Sequence, residues 1–375
     1  MAVRSVFRFC LCDSRNDFLL TLIKTIFLIV FLIMVSYLRN SILATIVYYD
    51  VFEYPLTLME VYSYLINPAR LHRLLDGVGE IKLYDIAKEL EKLAGSKIIS
   101  QKNGFYFLPG PRSAGGFGEA RRDGLYDLRS ERSKRSAQQW KKFLRLSKWL
   151  AITPYMEGFF GSGSFALENM NEKSDLDVLI IAKAGRLYTC RFFLVLISSI
   201  LGVRRKPFDR VAPGKLCLNH YITGDDLRIR HESMYTAQLY VNLKPVFISP
   251  ELLERFFGAN IWLNNYVYNF KPSGQFVRRT ISSNFLSRLI VSGLEFILNS
   301  PVGGLFESTL KKYQQERIRK NPLTGQPGGR VVFTDQELEF HPHSSEKNII
   351  ARYLSGLRRL GIIPFIEEHD SGLTQ

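Results

Sequence analysis

The chain has 375 residues, 46% of them hydrophobic, enough to bury a substantial core and fill two or three domains. Fifty Lys and Arg against 35 Asp and Glu give a formal net charge of +15, which points to a polyanionic partner: nucleic acid, a nucleotide or an anionic membrane surface. The four cysteines, Cys10, Cys12, Cys190 and Cys217, form no CxxC pair, which argues against a zinc site or a disulfide framework and suits a reducing compartment.

The first feature in chain order is the apolar run Phe18–Leu38, 21 residues interrupted by Thr21, Lys24, Thr25, Ser36 and Tyr37. It is long enough to span a bilayer as a helix, and no small-residue cleavage site follows it. Arg4, Arg8 and Arg15 precede it, so the positive-inside rule would keep the N-terminus in the cytoplasm and send the remainder outside, where nucleoside triphosphates are scarce. Three readings stay open for residues 1–39: a membrane anchor, an amphipathic or buried helix, or a stretch upstream of the true start. The expected location is the cytoplasmic face, anchored by this one helix if it belongs to the native product.

Residues 40–110 read as a small unit of three helices and a hairpin. Ile42, Ile46 and Tyr49 share one helical face. Thr57 and Glu60 have capping-box spacing, so a second helix starts there. A third runs over 83–94, with Ile86, Leu90 and Leu93 inward and Gly95 as its stop. Two short strands flank Asn103-Gly104, a strong hairpin signal. Three helices followed by a hairpin is a winged-helix-like pattern, which makes RNA or DNA a candidate partner. Its third helix mixes Lys88 and Lys92 with Asp85, Glu89 and Glu91, a poor surface for reading DNA.

Residues 111–151 combine a Gly, Pro and Arg-rich linker with a basic helix. Arg129, Arg132, Lys134, Arg135, Lys141, Lys142, Arg145 and Lys148 make its charged face; Trp140, Phe143, Leu144 and Leu150 make its inner stripe. That face is either a solvated surface on a packing helix or a contact for phosphate backbone.

The stretch 160–182, "FGSGSFALENMNEKSDLDVLIIA", places a Gly/Ser turn and a helix of about two turns before a buried strand headed by two aspartates. A dinucleotide cradle fits GxGxxA at Gly161, Gly163 and Ala166, but its ribose-binding acid belongs at the far end of the strand, and here the acids open it. A Walker loop is excluded because no Gly-Lys-Ser/Thr follows. Alternation along a strand puts Asp175 and Asp177 on one face, about 7 Å apart, where they can share hard Mg²⁺ ions with phosphate oxygens and water. The exposed turn offers backbone N–H groups and the Ser164 hydroxyl to a triphosphate. Two metals can then clamp the attacking and leaving oxygens of an in-line displacement.

Gly163-Ser164, ten residues, then Asp175-Leu176-Asp177 resembles the signature of the polymerase-beta-type nucleotidyltransferase superfamily. That motif covers only about 25 residues. The wider layout resembles a group of uncharacterised bacterial nucleotidyltransferase-domain proteins from about Asn40 to about Gly361. The resemblance implies transfer of a nucleoside monophosphate from an NTP to a hydroxyl, or in some members a phosphate. It implies Mg²⁺ or Mn²⁺ on Asp175 and Asp177 and the triphosphate on Gly163 and Ser164. The acceptor (RNA, protein or a small molecule) is not named by it.

The superfamily carries a third carboxylate on a later strand. Here that strand, 215–223, has Asn219 at its middle, and Asp226 lies beyond its far end. Glu168 also adds negative charge where a triphosphate would lie. A second reading follows: a catalytically weakened nucleotide-binding or nucleic-acid-binding regulator on the same fold. His220 and His231 read as structural, with alternative proton acceptor as the lesser reading, and His341 and His343 flank Pro342 with no third metal ligand near in sequence.

Beyond the third strand, 232–247 and 250–270 read as helices. A long helical region over 283–320 breaks at Ser300-Pro301, and one last amphipathic helix covers 344–360. The expected architecture is α/β (α+β) and multi-domain. It comprises an apolar segment (1–39), a winged-helix-like domain (40–110), a linker and basic helix (111–151), a minimal nucleotidyltransferase mixed sheet with flanking helices (152–245) and a helical region (246–375).

Overall fold

The computed structural model describes residues 37–72, 79–110, 124–206, 209, 211–271, 279–282 and 284–368. The apolar run Phe18–Leu38 lies outside them apart from Tyr37 and Leu38, and the linker stretch 111–123 lies outside them altogether.

Local sequence rules account for the first unit. It contains α1 (37–50), β1 (Leu56–Thr57), α2 (Leu58–Ser63), α3 (Leu83–Gly95), β2 (Ser100–Lys102) and β3 (Phe105–Phe107). The Thr57 hydroxyl accepts from the Glu60 amide at 3.2 Å while the Glu60 carboxylate accepts from the Thr57 amide at 2.8 Å, the reciprocal box expected from their spacing. Asn103 and Gly104 sit at φ 51° and 81°, the left-handed pair a tight hairpin needs, and β3 also pairs with β1 to make a three-stranded sheet. The expected faces, Ile42, Ile46 and Tyr49 of α1 and Ile86, Leu90 and Leu93 of α3, are all buried.

That core has a distant contributor. Ile350, Tyr353 and Leu357 of α11 (Glu346–Arg359) complete it. Gly356 permits the close approach: a Cβ there would stand 2.5 Å from Val47 Cγ1 of α1. The two ends of the described chain therefore share one hydrophobic cluster.

The larger unit is a mixed six-stranded sheet. Its strands are β4 (Met156–Gly161), β5 (Leu176–Ala182), β6 (Leu216–Thr223), β7 (Lys244–Ile248), β8 (Arg330–Phe333) and β9 (Glu337–His341), in the order β7-β4-β5-β6-β9-β8. Only β5 and β6 run parallel, joined by the crossover helix α6 (Leu187–Ile200). Alternation divides β5 between two cores. Val178, Ile180 and Ala182 face Trp140, Phe143 and Leu194; Leu179 and Ile181 face Ala237, Val241 and Phe256. The first face is covered by α6 and the long α4 (Leu125–Leu150), the second by α7 (Met234–Tyr240) and α8 (Pro250–Ala259).

The structure corrects several expected elements. The helix read across 232–247 stops at Tyr240, and Lys244–Ile248 forms edge strand β7, where Val246 is buried against the sheet. Residues 246–375 are not purely helical, because β8 and β9 extend the sheet through pairing of β9 with β6. The helix after the Gly/Ser turn, α5 (Gly163–Ala166), has four residues rather than two full turns.

Part of the basic face of α4 is structural. Arg129 donates to Glu60 at 2.8 Å, and Arg132 donates to the Phe52 carbonyl at 3.0 Å and Glu53 at 2.9 Å, bolting the two units together. Lys134, Lys141, Lys142, Arg145 and Lys148 are exposed. Among the described residues no single helix is long and apolar enough to cross a membrane; α9 (Phe285–Leu298) and α10 (Pro301–Arg319) would reach that length only as a pair bent by 89°.

Candidate functional site

Two strand ends and one turn build the site. β4 runs into Ser162, whose extended backbone caps α5, and Gly163 adopts φ +64°. The Ser162 amide donates to the Asp177 carbonyl at 2.9 Å, tying turn to strand. From behind, the Trp140 ring stacks on Phe165 at 3.9 Å and its Nε1 donates to the Phe165 carbonyl at 3.3 Å. The glycine is obligatory here. A Cβ on Gly163 would lie 3.2 Å from Asp177 Cβ and Cγ and closer still to Oδ2, in a backbone region that already disfavours side chains.

Leu176 is buried in the sheet, so its neighbours Asp175 and Asp177 project from the other face. Ligand atoms of Asp175, Asp177 and Cys217 all fall within 4.8 Å of one another. Asp175 pairs with Arg205, whose guanidinium also donates to the Asp209 carbonyl at 2.9 Å and lies 3.9 Å from Cys217 Sγ. Asp177 accepts from Asn219 Nδ2 at 3.1 Å.

Crowding shows in the protonation. Burial, and then the charge of Asp175, push the Asp177 carboxyl from 3.8 up to about 7; Cys217, Arg205 and Asn219 only partly offset this. Burial and the same two aspartates raise the Cys217 thiol, so it stays protonated and is a poor ligand for a hard cation. Two carboxylates pressed together in this way suit a small hard cation with water and phosphate oxygens in its remaining positions. Asp175 and Asp177 would hold it once Arg205, a third exposed, swings off Asp175.

The other expected residues divide. Ser162 and Gly163 line the cavity wall beside the acids, while Ser164 contributes its carbonyl to the Asn169 amide inside the turn. Asn219 stands directly at Asp177. Asp226 does not: it lies beyond Thr223, at the opposite end of β6, and pairs with Arg230. Glu168 is neutralised by Arg279, so its charge does not oppose a polyphosphate unscreened. His231 is locked to Glu346 at 2.7 Å, and His220 lies between the Tyr240 hydroxyl at 2.5 Å and Glu337 at 3.1 Å. The ligand atoms of His220, Glu337 and Glu339 form a second buried cluster, in which Arg330 reaches Glu339 at 2.5 Å and balances charge.

A cavity of 710 Å³ opens on the acids. Its lining includes Ser162 and Gly163, Asn219 and Tyr235, His341, and Arg191, Arg204 and Arg317. The ladder between β6 and β9 covers only His220–Ile222 against Glu337–Glu339; nearer the aspartates Leu216 pairs instead with the Arg204 segment, its amide donating to the Val203 carbonyl at 2.8 Å and its carbonyl accepting from the Arg205 amide at 2.9 Å.

Sequence reasoning did not connect Ser162, Cys217, Arg191, Arg204 or Arg205 with the site, and Arg317 was legible only as one of a basic cluster at the end of the helical region. The run Arg204-Arg205-Lys206 between α6 and β6 was the available signal: three cations entering a strand beside an acid pair.

Compared with protein-family models, curated proteins and solved structures, the chain matches none.

Proposed function

We propose that this protein is a nucleotidyltransferase that moves a nucleoside monophosphate from an NTP to an acceptor, with Mg²⁺ or Mn²⁺ on Asp175 and Asp177. The supporting observation is the juxtaposition of two carboxylates with the Gly163 turn, so close that the turn tolerates no side chain. On this reading the sheet around β4, β5 and β6 is the minimal nucleotidyltransferase core. The first unit is winged-helix-like, and its mixed-charge α3 suits protein packing better than a DNA groove.

The chain's residues divide the work. Asp177 gives up its proton and Arg205 leaves Asp175, which frees both carboxylates. The divalent ion supplies charge neutralisation at the α-phosphate when bound. Ser162 and Gly163 position the polyphosphate against the acids. The acceptor oxygen bonds to the α-phosphorus, the bond to the β-bridging oxygen breaks, and pyrophosphate leaves. A proton on the acceptor passes to solvent, since the Asn219 amide is no base.

The bond from Asn219 to Asp177 also favours the second reading, a nucleotide-binding regulator in which transfer is weak. The test is incubation with α-phosphate-labelled NTPs, Mg²⁺ or Mn²⁺ and a mixed pool of RNA, protein and small molecules. Label retained by the wild type and lost in Asp177→Ala supports the enzyme. Nucleotide binding without any label transfer supports the regulator.

A further inference from the structure

Arg191, Arg204 and Arg317 line one end of the cavity, and among the described residues no carboxylate pairs with any of them. They repel one another: Arg204 and Arg317, with burial the larger cause, make the Arg191 guanidinium easier to deprotonate than usual. Arg191 is the best fixed. One of its terminal nitrogens donates to Gln314 Oε1 at 2.6 Å, and buried Gln314 is itself oriented by donating to the Tyr188 carbonyl at 3.0 Å. Phe340 flanks the guanidinium at 4.9 Å, and its Nε is buried without a partner. Arg191 and Arg204 are half-buried and Arg317 is exposed, with one of its nitrogens donating to the Tyr313 hydroxyl at 3.4 Å; a half-buried cation that lacks a counter-charge is costly to keep, and all three line the same cavity.

Their number selects the ligand. A carboxylate brings one negative charge, whereas a phosphate monoester brings about 1.5 to 2 and three oxygens that suit guanidinium forks. A volume of 710 Å³ is of the size that takes a small molecule. The turn at Ser162 and Gly163, beside the acids, already offers a place for the donor polyphosphate. We infer that this arginine arm holds the phosphate of the acceptor, which is a small phosphate monoester. The inference rests on the transferase reading for the word acceptor; the anion site itself does not.

Two measurements test it. First, inorganic phosphate is titrated into the full chain by calorimetry, with thermal unfolding as the folding control. The wild type should bind with a dissociation constant of about millimolar or tighter. Arg191→Gln/Arg204→Gln should weaken binding at least about tenfold, as removal of charge-assisted contacts does. Asp177→Asn should leave phosphate binding within a factor of about three, as expected for a change outside the contact set. No phosphate binding, or binding indifferent to the arginine substitutions, overturns the inference. Second, the acceptor pool of the label-transfer assay is pre-treated with a phosphatase that is then removed. Label incorporation should collapse; unchanged incorporation, or label on the polynucleotide fraction, overturns the phosphate-monoester acceptor. If no label moves under any condition, the transferase reading fails, and the calorimetry still decides whether the arginine arm is an anion site.

Discussion

Replacing Gly163 with alanine isolates the contact that supports the proposed function. The substitution adds one methyl group and has two separable effects. At φ +64° an alanine pays the left-handed backbone penalty, about 1–2 kcal/mol. Its Cβ would also crowd Asp177, which is held from one side by the Asn219 bond at 3.1 Å and from the other by the Ser162 amide on its carbonyl at 2.9 Å. The carboxylate must turn away, losing the Asn219 bond and a relaxed rotamer, about 1–3 kcal/mol more. Gly185 supplies the internal control: φ is +69° and no atom lies within 4 Å of its Cβ position. Urea denaturation should therefore show Gly185→Ala destabilised by about 1–2 kcal/mol and Gly163→Ala by about 2–4. Mn²⁺ binding, read by the paramagnetic relaxation of water, should weaken at least about tenfold in Gly163→Ala alone, the effect of shifting one ligand of two. Equal destabilisation in the two variants, with Mn²⁺ binding intact in both, would refute the claim that the turn and Asp177 are built against each other.

Protonation offers a second test. In the metal-free protein the Asp177 carboxyl titrates near 7 when folded against 3.8 ordinarily, so the folded state holds this proton more tightly between those values, and stability falls as pH rises through that window. Asp177→Asn should remove the slope, making the variant relatively more stable at pH 8 than at pH 4, by at most about 4 kcal/mol; urea midpoints at both pH values decide it. For the same reason Mn²⁺ affinity of the wild type should climb about tenfold per pH unit up to about 7 and then level, with one proton released per ion bound. Asn219→Asp turns a donor into an acceptor beside Asp177. It should cost about 1–3 kcal/mol without metal and tighten Mn²⁺ binding, and a loss of Mn²⁺ affinity would remove Asn219 from the metal's surroundings. Trp140→Ala should cost about 3–5 kcal/mol, because the ring fills the space behind the turn. A loss below about 1 kcal/mol would show that the turn does not lean on it.

Local features were the legible ones. The Thr57–Glu60 cap, the Asn103-Gly104 hairpin and the break at Ser300-Pro301 rest on chemistry confined to a few residues, and each stands where its spacing puts it. The strand carrying Asp175 and Asp177 was legible because its apolar run is continuous and its acids alternate. What escaped depends on distant partners. Arg330–Phe333 and Glu337–His341 are short, and the second carries two glutamates on its inner face, which hides its strand pattern; only pairing with β6, the Arg330 charge at Glu339 and the hydrogen bond between Glu337 and His220 make it a strand. The pairing of Arg205 with Asp175 likewise joins residues 30 apart that the β5–α6–β6 crossover brings back together. Asp226 stands where the sequence puts it, beyond the far end of β6 and away from Asp177, and there it pairs with Arg230.

The junction of α1 with α11 and the laying of β9 beside β6 bear on how the protein comes into being. Synthesis delivers both aspartates long before it delivers the wall formed by Phe340 and His341, and the first helix waits for the last one to cover its apolar side. Any product interrupted before residue 330 keeps the acid pair and most of the residues around it but lacks the wall of Val331, Phe340 and His341. The strand that borders the acids' cavity and the helix that closes the first unit's core are thus both made well after the acids themselves.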